Sequence, residues 1–182
     1  SAEWHEMAVS ERDLKNIPTT ADALPALREA SVKKLFESTG VLSPVELERR
    51  FEVYAEQYNL SIEVEAKLVV DIAKTRIYPA AIHKLSDLAN TIESLASKWI
   101  ELDSSRASVV ANEVNAMMSA VAELIDAMGN HDFTSTEEHM HLCANEIRSL
   151  IDKVRLLAYL LESEVADELW PLPKYQEMLF IR

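Results

Sequence analysis

The chain has 182 residues, with 31 acidic against 18 basic side chains and a formal net charge of −13, a balance unsuited to nonspecific nucleic-acid binding, which needs clustered Lys and Arg. Two glycines cannot build a phosphate-cradling loop, a nucleophile elbow or the turns of a many-stranded sheet. One cysteine makes no internal disulfide and implies no oxidising compartment, and apolar runs such as 156–161 fall far short of the roughly 20 residues a membrane span needs.

The opening SAEWHEMAVSERDLK has no apolar stretch of the kind a secretory signal carries. NIPTTADALPAL follows, with two prolines and two adjacent threonines. It reads as extended chain with at most one helical turn. Residues 1–28 are therefore predicted to form a linker-like segment ahead of a helical domain at 29–182.

Residues 29–39 read as a short helix with Leu35 and Phe36 on its apolar side, and Gly40 suits the left-handed position after its end. Ser43-Pro44-Val45-Glu46 is a strong helix start: a capping serine, a proline at the first helical position and a glutamate closing the capping box. Leu47, Phe51, Tyr54, Tyr58, Ile62, Ala66, Val69 and Ala73 then form an apolar stripe. That predicts a helix of roughly 35 residues, long by the usual measure. Pro79 lacks an N–H and its ring opposes the carbonyl of Thr75, so a kink or break is expected there. Ile82, Leu85, Leu88, Ile92, Leu95 and Trp99 hold the period beyond it.

Asp103, Ser104 and Ser105 mark the next cap. Val110, Val114, Met117, Val121, Leu124 and Met128 alternate steps of four and three, as a heptad seam does, and Gly129 ends it. Ser135 with Glu138 suggests a second capping box. Cys143, Ile147, Leu150, Val154, Leu157 and Leu161 make another such seam, expected to stop near 167–169 because Pro171 and Pro173 forbid continuation. The tail WPLPKYQEMLFIR is apolar and aromatic. The predicted fold is all-α: an elongated antiparallel helical bundle with a long Pro-kinked helix and an apolar C-terminal tail.

Chemistry is sparse in these helices. The densest set of ligand-type residues is His139, His141 and Cys143, with His131 upstream. Glu138 and His141 make one Glu-x-x-His step, where di-iron bundles use two. These three are weak metal candidates, and a buried Cys143 with histidines at a wet helix start is the plainer reading. The 31 acids read mostly as solvated surface. No catalytic set is visible. Tyr54, Tyr58, Tyr78 and Trp99 read as core, and an exposed set would instead mark an interface. Trp170, Tyr175 and Phe180 in the tail and Pro79 at the bend are further structural or interface candidates.

Several stretches resemble the C-terminal part of type III glutamine synthetases. The first is NIPTTADALP, residues 16–25. The second runs from Glu46 to Ala81, with Glu46, Leu47, Arg50 and Glu52, then Glu56, Gln57 and Tyr58, then Ile62, Glu65 and Ala66, then Ala73, Ile77, Pro79 and Ala80 at motif positions. The third is the tail from Trp170 to Phe180, with Met178 where leucine is usual and Gln176 where glycine is common. Residues 100–168 match only in character, as long helices.

That resemblance implies a parent enzyme that makes glutamine from glutamate, ammonia and ATP with magnesium or manganese, in a cytoplasmic homo-oligomer. It places the catalytic carboxylates and nucleotide segments upstream, so no catalytic or cofactor-binding residue carries over to this chain. The expected role is a non-catalytic domain that packs on the upstream catalytic portion, with neither nucleic acid nor membrane as partner. The alternative is a stand-alone regulatory or metal-binding helical bundle.

Overall fold

A computed structural model of the chain describes residues 2–14, 16–129 and 133–179. All its regular elements are helical. In chain order they are α1 (Ala2–Ser10), α2 (Thr20–Ala23) running into a 3-10 turn (Leu24–Arg28), α3 (Ala30–Ser38) and α4 (Pro44–Ile72). A π-helical turn (Ala73–Ile77) then leads into α5 (Tyr78–Ala96). After α6 (Ser105–Gly129) come α7 (Thr136–Leu142), a second π-helical turn (Cys143–Ile147) and α8 (Arg148–Glu164), then a 3-10 turn (Asp167–Leu169) and α9 (Tyr175–Leu179). No described helix is long and apolar enough to cross a membrane.

The chain divides into two packed units. One comprises Ser1–Ile62 with Asp132–Asn145, the other Glu63–His131 with Glu146–Arg182.

In the first unit the core is Ala21, Phe51, Ala55 and Met140, all fully buried. Leu24, Tyr58 and Ala144 pack around it. Residues 20–28 of the segment read as linker-like form α2 and the 3-10 turn, and Ala21 and Leu24 pack in this core. Thr19 caps α2 by accepting from the Asp22 amide at 3.1 Å, and Pro25 presets the 3-10 turn. Ala21 goes inside because it is small enough to sit against Phe51 without displacing it. The stripe of α4 also lies slightly differently from its prediction. Tyr54 is exposed and Ala55 takes the inward position, one step of four after Phe51. The Ser43 box forms as expected: Glu46 accepts from the Ser43 amide at 2.7 Å and the Glu46 amide donates to Ser43 Oγ at 3.3 Å. At α7 the Glu138 amide donates to Ser135 Oγ at 3.1 Å. The Glu138 carboxylate reaches back one residue further than expected, to the Thr134 amide at 2.8 Å.

In the second unit α6 and α8 run antiparallel, fixed by ion pairs at both ends: Arg106–Glu164 at 3.2 Å and Lys153–Glu123 at 2.6 Å. Their seam buries Val110, Val114, Met117, Val121 and Leu124 from α6 and Val154 and Leu161 from α8. Ala127 rather than Met128 is the last buried residue of α6. Helix α8 stops at Glu164, and 167–169 form a separate 3-10 turn.

The helix before Pro79 does not simply break. Its last turn widens to π geometry, with the Tyr78 N–H donating to the Ala73 carbonyl five residues back, and α5 continues to Ala96. Ala73 and Ile77, at the two ends of that turn, are both buried.

Helix α5 ends before its apolar period does. The Ile100 amide donates to the Leu95 carbonyl and the Trp99 amide to the Ala96 carbonyl, both at 3.0 Å. This is the double closure of a Schellman motif. It puts Trp99 in the left-handed region, φ +64°, with its side chain 97% exposed. The expectation that Trp99 packs in the core is thus overturned: its neighbours in the sequence seal the helix end and turn it out.

Candidate functional site

The strongest polar constellation lies in the first unit and centres on Arg28, the sole cation between Lys15 and Lys33. The 3-10 turn Leu24–Arg28 delivers its guanidinium to three carboxylates. Arg28 Nε donates to Glu48 Oε1 at 2.7 Å, Nη2 to Glu52 Oε1 at 2.7 Å and Nη1 to Glu137 Oε2 at 2.8 Å. Glu48 and Glu52 share one face of α4 because they are four residues apart. Phe51 lies between them, and its ring centroid is 3.7 Å from the guanidinium carbon. Lys33 from α3 donates to the other Glu48 oxygen at 3.1 Å.

A planar guanidinium is the one side chain that can serve three carboxylates and stack on an aromatic face at once. The Arg28 hydrogen bond, then the Lys33 one, holds the Glu48 carboxyl below the usual carboxylate value. Each of the three Arg28 nitrogens donates to a carboxylate within the fold. The arrangement ties the 3-10 turn, α3, α4 and α7 together. Its members are charged side chains paired with one another, an arrangement suited to holding elements in place. Sequence reading found Glu52 through its motif and missed Arg28. The available signal was an isolated cation in an otherwise uncharged or acidic stretch.

The His/Cys set is not brought together around an open position. His139 stacks on Phe133, centroids 4.2 Å apart and planes at 13°. Cys143 is fully buried, and His141 is half-buried on α7. Among the described residues no three His, Cys, Asp or Glu side chains converge as a metal ion requires. His131 lies outside the described residues. The three carboxylates that do converge, Glu48, Glu52 and Glu137, meet on the Arg28 guanidinium, and the two glycines of the chain do not form a glycine-rich cradle for phosphates.

Of the aromatic candidates, Tyr54 is exposed and Tyr58 packs on the Phe51 core. Pro79 is exposed one residue after Tyr78, itself on the surface. Trp170 is buried. Tyr175 begins α9, but its side chain, like Phe180, lies outside the described part.

The second unit carries an apolar groove of about 280 Å³. Its walls are Val69, Ile72, Ala73 and Ile77, then α8 with Val154 and Ala158, then the tail residues Trp170, Leu172, Pro173 and Met178. Two charged side chains, Arg155 and Glu162, and the Tyr159 ring also line it.

Comparison with known proteins places this chain. The profile of the glutamine synthetase C-terminal domain matches residues 1–96, just over half of the sequence. The whole chain aligns with the type-3 glutamine synthetase of Dictyostelium discoideum at 33% identity over 192 aligned residues. It aligns with a glutamine synthetase of Bacteroides fragilis (strain YCH46) at 27% identity over the same span. In both cases it covers 100% of this chain and 26% of the relative, so the chain spans about a quarter of their length.

Proposed function

Because this chain belongs to the glutamine synthetase C-terminal domain family, we propose that it is the non-catalytic helical domain of a type III glutamine synthetase. Its work is to pack against an upstream catalytic portion and to support subunit assembly in a cytoplasmic homo-oligomer. The parent enzyme makes glutamine from glutamate, ammonia and ATP, with the nucleotide and its magnesium or manganese held upstream.

One observation carries this reading: the apolar residues at family-matching positions are used for packing. Ala21 of NIPTTADALP and Phe51 of the long stretch meet in one core, and Glu52 is bound by Arg28. Ala66, Ala73 and Ile77 are buried. A catalytic region would spend such residues on a cleft with converging polar groups. Exposed Tyr54 and Pro79 are the candidates for contact with the upstream portion.

Two measurements test it. The 182-residue chain, given glutamate, ammonia, ATP and magnesium, releases no phosphate above the blank. Sustained phosphate release that depends on glutamate and ammonia would overturn the reading. In a full-length enzyme carrying this domain, Arg28→Ala lowers the assembled fraction in sedimentation. Assembly and activity that survive complete removal of the domain would refute the structural role.

A further inference from the structure

We propose that Trp99 of one copy of this chain inserts into the apolar groove of a second copy, a head-to-tail contact between subunits. The proposal rests on the reading of the chain as an assembly domain and names the surfaces that would do the work.

The knob is unusual on two independent counts. A bulky residue at positive φ is strained, and here the place normally taken by glycine in a helix-ending motif is taken by tryptophan, φ +64°. The same closure recurs after α3, where the Val41 amide donates to Phe36 and the Gly40 amide to Glu37. There the left-handed residue is Gly40, φ +67°. The fold thus has an unstrained solution to this turn and uses it elsewhere. At Trp99 it accepts strain and presents an indole that is 97% exposed, flanked by Ile100 and Leu102, themselves about half exposed.

The hole matches it in size and chemistry. A dry cavity of about 150 Å³ accepts a benzene ring. The groove, at about 280 Å³, has room for an indole. An inserted indole N–H needs an acceptor, and Glu162 is among the residues that line the groove. Each surface carries one acid and one base, so opposite charges are available on both sides. The knob is flanked by Lys98 and Glu101, and the groove carries Glu162 and Arg155.

The occupant proposed is the Trp99 of a second copy. Trp99 follows α5, whose 19 residues span about 28 Å, and the π turn that walls the groove lies at the opposite end of that helix. The negative charge of the chain, −13, disfavours an anionic membrane as the occupant. One indole and its two apolar neighbours bury much less than the roughly 800 Å² per partner of a stable dimer. Self-association through this contact alone is therefore weak and rises with concentration. Because knob and hole are different surfaces, it is heterologous and can propagate.

The experiment uses three versions of the 182-residue chain in sedimentation velocity over a concentration series. Trp99→Gly removes the knob and relieves the backbone, so it folds. Ala158→Leu fills the hole. Arg155→Glu, at an exposed position, is a second hole variant that leaves the packing intact. Wild type associates, and each variant alone associates at least about tenfold more weakly, as expected for loss of an aromatic anchor. An equimolar mixture of Trp99→Gly and Ala158→Leu pairs an intact hole with an intact knob. It recovers association and stops at the dimer. A wild type that stays monomeric throughout, a Trp99→Gly chain that associates like wild type, or a mixture that fails to recover would each overturn the proposal. Those outcomes leave the phosphate-release and domain-removal tests of the structural role unaffected.

Discussion

Arg28 and Glu137 stand 109 residues apart in sequence, and a guanidinium N–H of the first donates to a carboxylate oxygen of the second at 2.8 Å. With Glu48 and Glu52 on the same guanidinium, this makes Arg28 the polar centre of the first unit. Arg28→Ala is expected to cost about 1–2 kcal/mol, because the group is partly exposed and its ion pairs are screened. Arg28→Lys recovers less than half of that, since one ammonium cannot fork to three carboxylates or stack flat on Phe51. The pH dependence has a definite sign. Glu48 is held below its usual 4.5, so the contribution is complete above that value and is lost as pH falls through the lowered one. Thermal melts of the three proteins between pH 7 and pH 3 check this. A lysine variant as stable as wild type would show that charge alone matters.

The Gly40 and Trp99 turns make a second prediction. Left-handed backbone costs a non-glycine residue roughly 1–2 kcal/mol, and glycine returns part of that through its greater freedom in the unfolded chain. Trp99→Gly should therefore raise stability by about 1 kcal/mol, although it deletes the largest side chain in its loop. That side chain is almost fully exposed, so no core contact is lost. Urea unfolding measures the effect. A destabilised glycine variant would mean the indole packs on its own domain in solution.

How much of this was legible in the sequence differs by element. The helix starts at Pro44 and Thr136 and the stop at Gly40 were readable because caps and left-handed glycines act through a few adjacent residues. The seams of α6 and α8 were readable from their period, with errors of one residue, such as Ala127 for Met128, where either residue satisfies the pattern. The folding of 16–28 was not. Ala21 is small and weakly hydrophobic, and its burial depends on Phe51 and Met140, which are distant in sequence. Arg28 was missed for the same reason: its three partners come from two remote helices. Trp99 was misplaced because periodicity cannot tell that a helix has ended three residues before its next apolar position. For the His/Cys cluster, sequence spacing suggested ligands, but convergence is a property of three dimensions.

The two π turns bear on Pro79. The first, Ala73–Ile77, precedes the proline and invites the view that proline causes it. The second, Cys143–Ile147, has no proline in or after it before Pro171. What they share is a buried residue at each end: Ala73 with Ile77, and Cys143 with Ile147. A wide turn keeps residues four apart on one face more closely than an α turn does, which suits that spacing. We take packing as the common cause, with Pro79 accommodated by a turn that has already left the α register. Pro79→Ala should leave the π turn in place with little change in stability. Ile77→Ala should cost about 2–5 kcal/mol and return the segment to α geometry. Backbone chemical shifts of residues 73–78 report the geometry. Collapse of the turn in the proline variant alone would restore proline as the cause.

Glu113 gives the last prediction. It sits seven residues after Arg106 on α6, two turns along the same face, and Arg106 pairs with Glu164 at 3.2 Å. One Glu113 oxygen is buried without a hydrogen-bond partner. Burial, and secondarily the negative Glu164, push the Glu113 carboxyl above its usual 4.5. A folded-state acid with a raised value binds its proton more tightly than the unfolded chain does. Stability attributable to it therefore increases as pH falls through the raised value and levels off below 4.5. At neutral pH the ionised carboxylate is a net cost. Glu113→Gln should thus be more stable than wild type at pH 7, with the advantage shrinking steadily on acidification. Glu164→Gln removes the secondary cause and should narrow the gap between wild-type Glu113 and its glutamine variant without closing it, because burial acts first. Urea midpoints of the single and double variants from pH 8 to pH 4 separate the two causes. A gap independent of pH would show that Glu113 is neutral throughout, or fully hydrated, and that neither cause operates.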